Sequence, residues 1–182
     1  MYTIYNQCPI FQNETITLRQ IREEDAAGLL NCYADEQALP FFNTDNCHGT
    51  DFHCTTLEQM KQAIAGWNWC YGMKEFVRLT ICLNATQEII GTVEMFNRGA
   101  APFYGVHGVL RIDVMSRYER ADVLQAILQL ADEHFYQAFG MEWIVTKAKS
   151  FALERRKALT ALGYIPMTEF ALSDYYGRPE EK

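Results

Sequence analysis

This 182-residue chain has no apolar stretch approaching the ~20 residues that a membrane-spanning helix requires. Positive charge is also scarce: the formal net charge is −7, and the only basic cluster is Arg155, Arg156 and Lys157. A surface of that sign repels phosphate, so nucleic-acid binding would need a segregated basic patch, which three residues do not make. The chain opens MYTIYNQC, without the charged and apolar segments of an export signal. It is therefore expected to be cytoplasmic, with its six cysteines (8, 32, 47, 54, 70 and 82) as reduced thiols and without glycans on the sequons at Asn13 and Asn84. There is no internal repeat and no linker, so one domain over 1–182 is expected, with 177–182 as a flexible tail. Glycine is missing from one telling place, the turn SRYERAD at 116–122.

Apolar residues make up 49% of the chain, with ten Tyr, eleven Phe and three Trp, enough to bury a core without disulfides or metals. Residues 16–21 (ITLRQI) alternate like a half-buried strand, and acidic residues at 23–25 start a helix that runs to about Ala34. A loop spans 40–54. Leu57, Met60, Ile64 and Trp67 recur at helical spacing behind a cap at Thr55 or Thr56. Residues 76–83 and 88–96 read as an antiparallel hairpin and 97–108 as a loop, because the latter contains glycine and proline. A strand at 109–114 then enters a long helix. Val123, Ile127, Leu130, His134 and Ala138 line one side of it, Leu124, Leu128, Ala131 and Phe135 lie beside them, and Gly140 closes it. A strand at 141–147, a helix at 151–162 closed by Gly163, and one or two strands within 164–176 complete the order. This α/β (α+β) mixture predicts a central mixed, mostly antiparallel sheet of 6–7 strands with about four helices on both faces.

Three local segments sharpen the reading: TLRQIREED at 17–25, IIGTV at 89–93 and ALTALGY at 158–164. Together with the element order they resemble the GNAT N-acetyltransferase superfamily, particularly the branch that acetylates ribosomal-protein N-termini, over nearly the whole chain. The resemblance implies that acetyl-CoA lies where the fourth strand splays from the fifth, its pyrophosphate held by a Gln/Arg-x-x-Gly-x-Gly/Ala loop. Here Glu119, Asp122 and Leu124 occupy the three defining places of that loop. The backbone of Val114 and the first-turn residues Ala121, Asp122 and Val123 would meet the cofactor, with Arg117 and Arg120 clamping phosphate from the side. An Asn, Ser and Tyr common on the family's late helix are replaced by Ala152, Arg155 and Leu159. Asp122 also reads as an ordinary helix-start carboxylate, worth about 0.5–2 kcal/mol.

Acetyl transfer to an amine needs a deprotonated nucleophile and a proton acceptor. The candidate bases are Glu94, Asp113 and His107, with Glu94 first, while Tyr104, Tyr118 and Tyr164 read as packing residues. Cys47, His48, His53 and Cys54 form a symmetric set of thiols and imidazoles, but adjacent Cys-His pairs strain a tetrahedral site. No metal is expected, and the loop is read as a border of the acceptor pocket. The expected activity is transfer of acetyl from acetyl-CoA to a primary amine, on a small molecule or a peptide, in a direct ternary complex. The alternative is a fold of the same family that has lost acetyl-CoA binding and acts as a binding or regulatory module.

Overall fold

The computed structural model describes residues 4–45, 47, 49–102, 105–168 and 173–181; His48 and Tyr104 lie outside them. Among the described residues, eight strands form one sheet: β1 (Phe11–Gln12), β2 (Ile16–Gln20), β3 (Val77–Leu83), β4 (Ile89–Ala101), β5 (Gly105–Val114), β6 (Trp143–Lys147), β7 (Ile165–Pro166) and β8 (Tyr175–Pro179). Their spatial order is β1-β2-β3-β4-β5-β6-β8-β7. Every neighbouring pair is antiparallel except β5 with β6. The helices are α1 (Ala26–Tyr33), α2 (Leu57–Gly72), α3 (Ala121–Phe139) and α4 (Leu153–Ala161). The mixed, mostly antiparallel architecture matches the expectation, with the two-residue strand β1 added at one edge.

Alternation along the central strands sends two different sets of side chains to the two faces. Val77, Leu79 and Ile81 of β3, Val93 and Met95 of β4, and Leu110, Ile112 and Val114 of β5 join the core formed with α3 and α4. Each fully buried aliphatic side chain of this kind contributes roughly 1.5–3 kcal/mol. The opposite face carries Arg78, Thr80, Thr92, Glu94, Arg111 and Asp113, all buried. It is covered by α1 and α2, whose Leu29, Cys32, Tyr33, Met60, Ile64 and Trp67 make a second cluster with Ile21, Phe42 and Met115.

Local signals set most of the ends. The Thr56 side chain accepts the Gln59 N–H at 3.2 Å, and the Gln59 side chain accepts the Thr56 N–H at 3.2 Å, a reciprocal cap on α2. Gly140, at φ 62°, ends α3 in the left-handed region that glycine enters at little cost. The expected stripe of α3 packs as read, and His134 stacks on Phe11 with ring centroids 5.2 Å apart.

Two expectations are corrected. The 97–108 segment is not a loop: β4 continues to Ala101 and β5 begins at Gly105, with a register shift between Asn97 and Gly99. Gly99, at φ 80°, sits in a β-bulge, where the Asn97 side chain accepts its N–H at 2.7 Å. Nor does a tail begin at Gly177. Gly177 and Pro179 pair with Val145 and Trp143, so β8 is held by β6.

Candidate functional site

The polar face of the sheet is built by cross-strand register. Arg78, Glu94 and Arg111 stand opposite one another on β3, β4 and β5, and Thr80, Thr92 and Asp113 form the next row. Both Glu94 oxygens are engaged: Arg78 binds one, and Arg111 Nη1 donates to the other at 2.5 Å. Arg78 Nη1 also donates to Asp113 Oδ2 at 3.2 Å, to Thr92 at 3.0 Å and to the Tyr33 hydroxyl at 2.8 Å. Tyr33 in turn donates to Asp113 Oδ2 at 3.0 Å. The Arg78 guanidinium lies 4.2 Å from the centroid of the Trp67 ring. Burial pushes the Asp113 carboxyl above its ordinary value despite Arg78, and Asp113 Oδ1 has no hydrogen-bond partner. Desolvation here outweighs attraction, as it commonly does for buried ions.

Over this floor lies a cavity of about 500 Å³, between the 47–54 loop and α2. Phe52, Trp67, Trp69 and Phe76 wall it, and Glu94 and Arg111 reach it from below. Cys47, Cys54 and Cys70 also line it, and burial pushes their thiols up, Cys70 to about 11. Among the described residues, no group of three or more His, Cys, Asp or Glu side chains is arranged to hold a metal ion. A larger cavity of about 680 Å³, lined by Asp132, Glu142 and Glu181 among others, contains none of the buried network.

Beside the cavity the sheet opens. β5 pairs with β6 only from His107 to Leu110, yet continues to Val114 alongside β4. Val114 is buried opposite Gly91, where an added Cβ would lie 1.9 Å from the Asp113 carbonyl oxygen; this close approach accounts for the early glycine of the strand. The turn after Val114 leads into α3, and its charges are spent internally. Arg117 pairs with Glu88, which also accepts the Tyr118 hydroxyl at 2.5 Å. Glu119 accepts two hydrogen bonds from buried Arg155, each 2.7 Å long. The exposed Arg120 pairs with Asp122 at 2.5 Å. Burial raises the Asp122 carboxyl, but hydrogen bonds from Arg120 and from the Val123 backbone outweigh it and hold the group low. The Ala121 N–H donates to Glu154 Oε2 on α4 at 2.9 Å. The first N–H groups of α3 therefore already face the chain's own carboxylates.

The structure thus brings Glu94 and Asp113 together on one floor and places Val114, Arg117, Arg120, Ala121, Asp122 and Val123 around the α3 entrance. His107 is elsewhere, four residues before Arg111 and so roughly 13 Å along the strand at ~3.3 Å per residue. Its Nδ1 lies 3.0 Å from the Gly99 carbonyl, and burial pushes its pKa down. Arg78, Tyr33 and Glu154 were missed in the sequence. An arginine inside the apolar run FVRLTICL was a usable signal for the first, whereas the other two act only through contacts remote in the chain.

A family model described as "Acetyltransferase (GNAT) domain" matches residues 15–165. An uncharacterized N-acetyltransferase of Bacillus subtilis, YoaA, is 22% identical over 161 residues, covering 88% of this chain and 75% of that one. Among solved structures, the ribosomal-protein-S5-alanine acetyltransferase of Vibrio fischeri superposes with a TM-score of 0.71 at 16% identity, over 96% of this chain and 98% of its own. Mycobacterium smegmatis RimJ, solved in complex with CoA-disulfide, gives 0.72 at 15% identity, over 94% and 86%. The matched span runs from just before β2 into β7 and takes in the buried polar floor, the opening beside Val114 and the entrance to α3; this chain belongs to the GNAT acetyltransferase family.

Proposed function

We propose that this protein is an acetyl-CoA-dependent N-acetyltransferase whose amine acceptor enters the cavity over α2 and attacks a thioester presented beside Val114. One observation carries the reading. The cavity floor and the sheet opening share strand β5, with Arg111 at the first and Val114 three residues on at the second. Membership of the family supports acetyl transfer, and relatives named for acetylating ribosomal proteins support an amine acceptor.

Glu94 works in this reading as a hydrogen-bond acceptor for the amine rather than as a free base. Both its oxygens hold guanidinium groups, so protonating it would loosen two buried ion pairs. The environment does the deprotonation instead. Loss of water contact between the aromatic walls disfavours a charged ammonium, so the arriving amine sheds its extra proton to solvent and is pressed toward its neutral, nucleophilic form. Its lone pair attacks the carbonyl carbon, a C–N bond forms and the C–S bond breaks; the amine loses one proton and the departing thiolate gains one. Backbone polarity at Val114 polarises the carbonyl.

The entrance to α3 bears on cofactor affinity. A pyrophosphate seated there meets Glu154 and Asp122, both on exposed positions from which a side chain can swing away. Thermal-shift titration with acetyl-CoA tests the proposal: ligand at 100 times its dissociation constant stabilises by ~2.7 kcal/mol. No shift at millimolar acetyl-CoA refutes it and leaves the non-catalytic module as the reading.

A further inference from the structure

We infer that the acceptor is a small primary amine carried by an aromatic ring on a short linker, with the ring among Phe52, Trp67 and Phe76 and the amine over Glu94 and Arg111. The inference rests on the N-acetyltransferase reading and narrows it to a substrate class.

Three observations point there. The cavity, at about 500 Å³, falls within the ~300–1,000 Å³ that encloses a small molecule. Its floor carries Glu94 and Arg111, Thr50, Asp51 and His53 add polar groups along the loop, and Phe52, Trp67, Trp69 and Phe76 supply aromatic surface that receives a flat ring by offset or edge-on contact. Lastly, one exposed lining position on α2 carries no side chain. Gly66 stands inside α2 and lines the cavity, and a Cβ added to it would meet nothing within 4 Å. Glycine is among the poorest helix formers, and no neighbouring atom demands it here. What its missing side chain leaves is room.

Trp69 stands on the rim with 63% of its surface exposed, a large aromatic group that a stacked ligand would cover.

The test pairs binding with turnover. Two of the three tryptophans line the cavity, so intrinsic fluorescence reports its occupancy without any reaction. 2-Phenylethylamine is expected to give a saturable fluorescence change and, with acetyl-CoA, an acetylated product at least tenfold faster by mass spectrometry than spermidine or an alanyl peptide. Gly66→Leu, which improves helix propensity, should abolish both responses and leave the acetyl-CoA thermal shift intact; Trp69→Ala should weaken phenylethylamine binding several-fold. Preference for spermidine or the peptide, or phenylethylamine use unaltered in Gly66→Leu, overturns the inference while leaving the acetyltransferase reading standing. Saturable phenylethylamine binding lost in Gly66→Leu, with no acetylation of any amine, supports the ring site and sinks the acetyltransferase reading instead.

Discussion

Replacing Glu154 with Ala should tighten CoA binding while loosening the fold. The Glu154 carboxylate accepts the Ala121 N–H at 2.9 Å, at the position where an anion would meet the start of α3. Two unit negative charges ~4 Å apart interact by about 4 kcal/mol at an effective dielectric of ~20. Glu154 is exposed, so the bulk-water figure for that separation, about 1 kcal/mol, applies. That corresponds to roughly five- to tenfold tighter CoA binding, since ~1.4 kcal/mol is a factor of ten. The same substitution removes an N-terminal partner of α3, which should cost about 1 kcal/mol of stability. The two effects have opposite signs, and no simple loss of structure mimics that pattern. Calorimetric titration of CoA at low and high salt, alongside urea midpoints, reads both. The gain in affinity should shrink as salt rises. Equal or weaker CoA binding by the folded Glu154→Ala protein would refute the placement of pyrophosphate at this turn.

Glu94→Gln leaves two buried guanidinium groups short of one carboxylate, so its urea midpoint should fall by an amount equivalent to about 3–5 kcal/mol. Turnover per folded molecule should fall with it while CoA affinity holds; unchanged stability and turnover together would remove Glu94 from the site. Asp113→Asn should separate from the parent protein as pH rises. Burial raises the Asp113 pKa above its ordinary 3.8, so the protonated carboxyl contributes its full stability below that value and loses it as pH climbs through the folded pKa. The non-titrating Asn escapes this loss, and urea midpoints measured across the acid range should diverge in its favour. Parallel curves would show that Asp113 carries no such linkage.

Much of this fold was legible because its signals are local. Thr56 and Gln59 cap α2 across three residues, and Gly140 ends α3 where the apolar stripe stops. The 97–108 segment misled for a physical reason: glycine marks a bulge as readily as a loop, and only pairing with a neighbouring strand tells them apart. Gly177 misled likewise, since its strand exists through β6, more than thirty residues earlier. Glu94 and Asp113 stood out as carboxylates on apolar strands. Tyr33 did not, because it reaches Asp113 across 80 positions, and neither did Glu154, which meets Ala121 across 33. The packing of helix on sheet and of helix on helix decides such meetings, and no window on the sequence contains it.

The Glu119–Arg155 pair changes how departures from a motif are counted. The resemblance sets Glu119 at the Gln or Arg place of the loop and Arg155 at the Ser place of the late helix, and in the structure the two side chains grip each other through two 2.7 Å hydrogen bonds. The two residues form one contact between distant addresses, so within this structure each is the partner of the other rather than a separate departure. The pair also acts as a mechanical rivet. Buried on both sides, it ties the start of α3 to the start of α4, so the two helix starts move as one body. An anion arriving there finds a stiff frame, and Glu154, Asp122 and Arg120 are the parts able to turn aside.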